Sequence, residues 1–263
     1  MCTLSWQFSS AGFDLFFNRD EQRSRAPACP PESRSTDDGT SYLAPIDPEG
    51  GGSWIFVNEH GLAATLLNAY DLTADVQSSG EQLRSRGQLL LALSDVRCIA
   101  EFETALRSEL LKSLYAPCFL CAFDLGGRQM IRLWDGRELV SVVPRIPGFL
   151  TTSSVRSKEV VSHREEAFMQ ALGAPPYDPD AMETLHAGLE RPADAFNVRM
   201  SRLDAKTVSR THIRMTEDHK TLRYAPLDQD GAFAPWTSFH LGPIERVANA
   251  PDNPTDPDGS PIE

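Results

Sequence analysis

Long apolar runs are missing from this 263-residue chain. No stretch reaches the roughly 18 apolar residues of a membrane-spanning helix, so integral membrane insertion is not expected. The first residues, MCTLSWQFSSAGF, have neither a charged n-region nor a continuous apolar h-region. The expected compartment is the cytoplasm. A basic surplus is missing too: 25 Lys and Arg stand against 37 Asp and Glu, a formal net charge of −12. Nucleic acids are bound by basic faces, and anionic bilayers by basic patches, so neither is an expected partner.

Several chemistries are excluded in the same way. The five cysteines, Cys2, Cys29, Cys98, Cys118 and Cys121, are odd in number and scattered, unlike a disulfide framework. Cys118 and Cys121 spell CxxC, but inside the apolar run YAPCFLCAFDL, which reads as a strand. Residues three apart on a strand point to opposite faces, so these two are expected to be packing residues. The histidines lack metal-ligand spacing, and no metal or cofactor is expected. There is no GxSxG. Gly50–Gly52 precede no helix and no phosphate-binding lysine. His60 is expected to be an exposed turn residue; His186 and Trp236 are left unplaced.

What is present is a series of strand and helix patterns in a chain long enough to bury a large core. TLSWQF and FDLFFNR flank the turn signal SSAG. Residues 26–53 are rich in Pro, Ser, Asp and Gly and read as a long loop. SWIFVN and LAATLLN follow as strands around EHG. Helical spacing appears in QLRSRGQLLLALSDV and IAEFETALRSELLKSL, where Phe102, Leu106, Leu110 and Leu114 mark one face. Three strands come next, PCFLCAFDL, RQMIRLWD and ELVSVVP, turned at GG and DG. KEVVSHREEAFMQAL and DPDAMETLHAGL read as helices, with Asp178 as N-cap of the second. AFNVRMSRL, TVSRTHIRMT and TLRYAPL read as strands, with WTSFHL as a last short one. The alternation predicts an α+β layered fold with two antiparallel sheets. It is read as one domain over 1–248, followed by a disordered Pro- and Asp-rich tail over 249–263.

The first hairpin fixes a face. With SSAG as the turn, opposed positions sum to 21, and Cys2 falls opposite Arg19. Directly opposed side chains share a face, with Cβ atoms about 4.5–5.5 Å apart. Asp20 is the next residue along. A small residue behind Met1 permits removal of that methionine, leaving a free α-amine on Cys2. With a reference pKa of about 7.7–8.0, about a tenth of that amine is neutral at pH 7 and can serve the thiol as its general base. Nucleophile and base then share one residue. Acyl transfer also needs donors at the developing oxyanion. Asn68, a polar end to the apolar strand LAATLLN, is the candidate.

These residues resemble a known family. NRDE at 18–21 behind an N-terminal MC, and GGSWIFVNEHGLAATLLN, are similar to the NRDE, or transport-and-Golgi-organisation protein 2, family. SRGQLLLALSD and SRT resemble two further segments of it. The same stretches resemble the wider choloylglycine hydrolase and penicillin acylase group. That resemblance implies a four-layer αββα N-terminal nucleophile sandwich with two antiparallel sheets. It implies Cys2 as nucleophile, Arg19 and Asp20 as positioning groups, Asn68 as oxyanion donor and a late arginine, for which Arg210 in SRT is the candidate, with Arg199 and Arg202 nearby. It also implies substrate contacts at Asn18, Thr152 and Ser153; the last two stand where the group carries an asparagine. Two functions stay open. One is hydrolysis of an amide or thioester. The other is non-catalytic binding or trafficking of haem, lipid or acyl-CoA on the same scaffold. The implied partner is a small acyl or amide substrate or a hydrophobic ligand; oligomeric state is not legible.

Overall fold

The computed structural model describes residues 2–72, 83–188, 194–228 and 231–242. The expected tail over 249–263, and the domain limit at 248, lie outside the described residues. Period-2 segments form the strands. β1 (Cys2–Ser9) and β2 (Gly12–Gln22) make the first hairpin. Its register is Cys2 against Arg19 through Ser9 against Gly12, the pairing the turn signal predicts. β3 (Cys29–Ser35), β4 (Ser41–Ile46), β5 (Ile55–Asn58) and β6 (Leu62–Asn68) follow. After helices α1 (Arg86–Leu91) and α2 (Ile99–Lys112) come β7 (Cys118–Asp124), β8 (Gln129–Trp134), β9 (Leu139–Ser141) and β10 (Phe149–Thr152). The chain continues through α3 (Ser157–Leu172), α4 (Pro179–Ala187), β11 (Ala205–Thr216), β12 (Lys220–Pro226) and β13 (Thr237–His240).

Two antiparallel sheets result, one in the order β10-β1-β2-β11-β12-β13 and the other β3-β4-β5-β6-β7-β8-β9. Alternation sorts their side chains. Cys2, Leu4, Trp6, Phe13, Leu15 and Phe17 of the first sheet pack against Ile55, Val57, Leu67, Cys121 and Phe123 of the second. Phe56, Leu66, Cys118 and Leu120, on the far face of the second sheet, pack under α1 and α2 through Leu89, Leu90, Phe102 and Leu106. Phe16 and Phe149, on the far face of the first, pack under α3 and α4 through Phe168 and Met182. This is the αββα sandwich. Each fully buried large side chain contributes about 1.5–3 kcal/mol, so the inter-sheet layer is the main cohesive term. Cys118 and Cys121 fall on opposite faces, both at 0% exposure, as the strand pattern requires. Asp178 caps α4, accepting from the N–H groups of Asp180 and Ala181.

Three expectations need correction. Residues 26–53 are not a long loop, because β3 and β4 lie within them as the edge hairpin of the second sheet. An edge strand facing water is polar and tolerates proline, which gave CPPESRS the composition of a loop; a bulge between Cys29 and Glu32 accommodates Pro30 and Pro31. Residues 195–203 form no strand. The Asp194 N–H binds Asn197 Oδ1 at 2.7 Å, and the Phe196 N–H binds Asp194 Oδ1 at 2.7 Å, so local side-chain bonds outcompete a ladder. The helix expected over 82–96 is only the six residues of α1.

Gly52 and Gly87 come together across this region. A Cβ on Gly52 would stand 2.3 Å from the carbonyl carbon of Gly87. The Ser53 N–H donates to Gly87 O at 3.1 Å. The GGS and SRG segments therefore meet backbone to backbone, beside the end of β1.

Candidate active site

Cys2 opens β1, which lies between β10 and β2 in its sheet. Arg19 on β2 lies opposite it on one side and Thr152 on β10 on the other. Asn68 comes from the other sheet, at the end of β6. Cys2, Arg19, Asp20, Asn68 and Tyr70 line one cleft of about 520 Å³, walled by Gly52, Trp54 and Gly87. A second chamber of about 640 Å³ shares Asn68 and Tyr70 with it and is lined by Phe119, Val142, Leu150, Thr152 and Val161.

The thiol is buried, at 6% residue exposure. Burial pushes its pKa up, and the Asp20 charge adds to the rise; the Asp20 N–H and the Arg19 guanidinium oppose it. Burial wins, so Cys2 rests as a thiol and a base must take its proton. Arg19 is only partly directed at the sulfur. Its Nη2 contacts Glu21 Oε2 and Asp47 Oδ2, each at 3.2 Å, and its guanidinium lies 4.2 Å from the Trp54 ring centroid. Asp47 also holds Arg25 at 2.7 Å.

Alternation sends the Asp20 side chain to the opposite face of β2 from Arg19, toward α3. Oδ1 accepts from Thr207 Oγ1 at 2.6 Å. Oδ2 faces Arg164 Nη2 at 3.6 Å, with both side chains at 0% exposure, and has no hydrogen-bond partner. Burial raises the Asp20 pKa, and the Arg164 charge restrains it. Arg164 itself donates to Thr3 Oγ1 and Thr151 Oγ1 at 3.0 Å each, and to Ala195 O at 2.8 Å. Thr151 Oγ1 in turn donates to the Cys2 carbonyl at 3.2 Å. A fully buried charge pair thus backs the residue that carries the thiol.

Asn68 Nδ2 donates to Tyr70 Oη at 2.9 Å. A carboxamide nitrogen carries two hydrogens, so this bond orients the group and leaves a second N–H. Burial pushes the Tyr70 phenol up to about 12, keeping it neutral. Thr152 is buried at 6% exposure, and its Oγ1 has no partner.

The other site expectations are placed elsewhere. Ser153 Oγ donates to Val155 O at 2.6 Å and accepts from the Val155 N–H, forming a local turn. Asn18 points to the helix face, where Nδ2 donates to His186 O at 3.0 Å and Val198 O at 3.2 Å. Arg210 is on that outer face too. It pairs with Glu183 at 3.5 Å and stacks on Trp236 at 4.2 Å and Phe233 at 4.7 Å. A bulge between Thr207 and Ser209 is the reason: it puts Ser209 opposite Arg19 and Arg210 opposite Asn18. One extra residue inverts the faces downstream. His186 is buried against Ser5 Oγ at 2.8 Å, and burial pushes its pKa down to about 3. His60 is half-buried in its turn, with Nε2 3.4 Å from Thr40 Oγ1. Among the described residues, no cluster suited to a metal occurs.

Sequence reasoning missed Arg164, Thr207, Asp47, Trp54 and Tyr70. Arg164 left a trace. It falls between Val160 and Phe168, four residues from each, on the buried stripe of α3. A charge on an apolar stripe signals a buried partner.

The model of the family Transport and Golgi organisation 2 matches residues 1–138, which include Cys2, Arg19, Asp20 and Asn68. The chain belongs to this family. No curated protein matches it. Among solved structures, the family member is similar to a penicillin V acylase from Agrobacterium tumefaciens: TM-score 0.52, 13% identity, 92% of this chain and 86% of that one covered. An N-acylethanolamine-hydrolyzing acid amidase ortholog from Caenorhabditis elegans matches with TM-score 0.54 and 12% identity, over 81% and 92% of the two chains. The mutant C2A conjugated bile acid hydrolase from Clostridium perfringens matches with TM-score 0.51 and 13% identity, over 92% of each. At these identities the likeness establishes the fold: an N-terminal nucleophile hydrolase sandwich. No described helix is long and apolar enough to cross a membrane.

Proposed function

We propose that this Transport and Golgi organisation 2 family member is an N-terminal-cysteine hydrolase of an amide or thioester. The observation that supports this most is the convergence of Cys2, Arg19, Asp20 and Asn68, drawn from two sheets, on one cleft. Removal of Met1 gives Cys2 its own base. The neutral α-amine takes the thiol proton as Sγ bonds to the acyl carbon. The oxyanion receives the free N–H of Asn68 and the unpartnered hydroxyl of Thr152. Collapse breaks the bond to nitrogen or sulfur, and the ammonium returns its proton to the leaving group. Water then hydrolyses the thioester, releasing the acid and restoring the thiol. Asp20, held by Arg164 and within electrostatic reach of Cys2, orients the α-ammonium by its charge. No separate cofactor enters this scheme.

Intact mass spectrometry of the purified protein is expected to show Met1 absent. An electrophilic acyl probe is expected to label Cys2 in the native chain faster than exposed Cys29, and that fast labelling is expected to vanish in Cys2→Ala. Retained Met1, or labelling at Cys29 instead, refutes the proposal. A second reading, a carrier of haem, lipid or acyl-CoA, draws on the apolar chamber beside the cleft. Tight binding of such a ligand by Cys2→Ala, with no turnover by the native protein, would favour it.

A further inference from the structure

Four arginines, Arg19, Arg25, Arg84 and Arg86, line the Cys2 cleft of a chain whose formal net charge is −12. Three of them have counterions. Arg19 and Arg25 share Glu21 and Asp47, and Arg84 pairs with Glu109 at 3.3 Å. Arg86 differs. Its Nη1 donates to the Pro117 carbonyl at 3.2 Å, and no carboxylate of the described residues pairs with it. It is half-buried, and it lines the cleft together with Cys2, Asn68 and Tyr70. Tyr70 lies within electrostatic reach of both the Cys2 sulfur and the Arg86 guanidinium. A half-buried cation loses part of its hydration, and an ion pair is what usually offsets that loss. A guanidinium also keeps several directed donors free for a planar anion.

The geometry points to an anion subsite at Arg86, so that the molecule on which Cys2 acts carries a negative group within reach of that guanidinium. The inference rests on Cys2 being the reacting atom. It adds a substrate class: amides or thioesters bearing a carboxylate, sulfonate or phosphate near the scissile bond. The remaining acid groups of the cleft do not oppose this. Glu21 and Asp47 are held by Arg19 and Arg25, and Asp20 is turned toward Arg164.

Alkylation of Cys2 by iodoacetate and by neutral iodoacetamide, read by peptide mass spectrometry, tests it. Exposed Cys29 is the internal reference. Relative to Cys29, Cys2 is expected to favour iodoacetate over iodoacetamide at least threefold. Arg86→Gln is expected to bring the iodoacetate-to-iodoacetamide ratio of Cys2 down to that of Cys29. An unchanged preference in Arg86→Gln overturns the subsite. Calorimetric titration with hexanoate and hexanamide reads the subsite without any reaction at Cys2. Hexanoate is expected to bind at least tenfold tighter to the native protein and no tighter to Arg86→Gln; equal native affinities overturn the assignment. A Cys2 inert to both reagents would refute the hydrolase proposal, and the titration would still decide the subsite.

Discussion

Replacing Arg164 by Met leaves the Asp20 carboxylate buried without its counterion. Both side chains are at 0% exposure, 3.6 Å apart. Breaking a buried pair by removing one partner costs about 3–5 kcal/mol, on the order of a hundred- to several-thousandfold in the folding constant. Arg164→Met also removes three donated hydrogen bonds, to Thr3, Thr151 and Ala195. The pH dependence separates the two losses. Asp20 already titrates above its reference of 3.8 because burial outweighs Arg164. Loss of Arg164 raises it further. A carboxylate with a raised folded pKa binds its proton more readily folded than unfolded. Stability therefore falls as pH climbs from the unfolded value through the folded one. The fall amounts to about 1.36 kcal/mol for every tenfold by which the folded state binds that proton more tightly than the unfolded chain. The penalty of Arg164→Met is expected to be smallest well below the unfolded reference of 3.8, where Asp20 is protonated in both states. It should grow toward neutrality and level off once pH exceeds the variant's raised pKa. Urea unfolding of both proteins at a series of pH values measures this. Arg164→Met with Asp20→Asn should recover much of the neutral-pH loss. A penalty independent of pH, together with a double variant as unstable as the sum of the singles, would refute the coupling.

Asn68→Ala is expected to slow Cys2 acylation by about 10²–10³-fold, the usual cost of one oxyanion donor, with an unchanged unfolding midpoint; a loss under twofold refutes the role. Tyr70→Phe removes the acceptor that orients Asn68 but leaves the Asn68 carboxamide in place, so stopped-flow acylation should show a smaller defect than Asn68→Ala. Gly52→Ala forces a Cβ to within 2.3 Å of Gly87 and is expected to cost about 1–3 kcal/mol in thermal unfolding, as overpacking does. Cys118 and Cys121, buried and pushed up to about 12, are expected to resist iodoacetamide until the chain is unfolded, while exposed Cys29 reacts at once.

Much of the scaffold was legible because it depends on short-range rules. The SSAG turn and period-2 alternation determined the first hairpin, its register and the pairing of Cys2 with Arg19. The same alternation separated Cys118 from Cys121, and helical spacing found α2, α3 and α4. Residues 26–53 and 195–203 were misread where composition hid the competing term: an edge strand solvated by polar side chains in one, side-chain bonds to the backbone in the other.

The site was a different matter. Arg210 was expected near Cys2, and one bulged residue turned it to the outer face; no pattern in SRT reports a bulge. Asn68 and Cys2 belong to different sheets, so only the stacking of those sheets joins them in one cleft. Arg164 is 144 positions beyond Asp20 in the sequence, and their pairing exists because α3 docks behind β1 and β2. The sequence alone determined which side chains share a strand face, since that follows from backbone geometry within a few residues. Which faces meet, and therefore which charges are buried together, was decided by tertiary packing, because burial and desolvation are properties of the assembled layers.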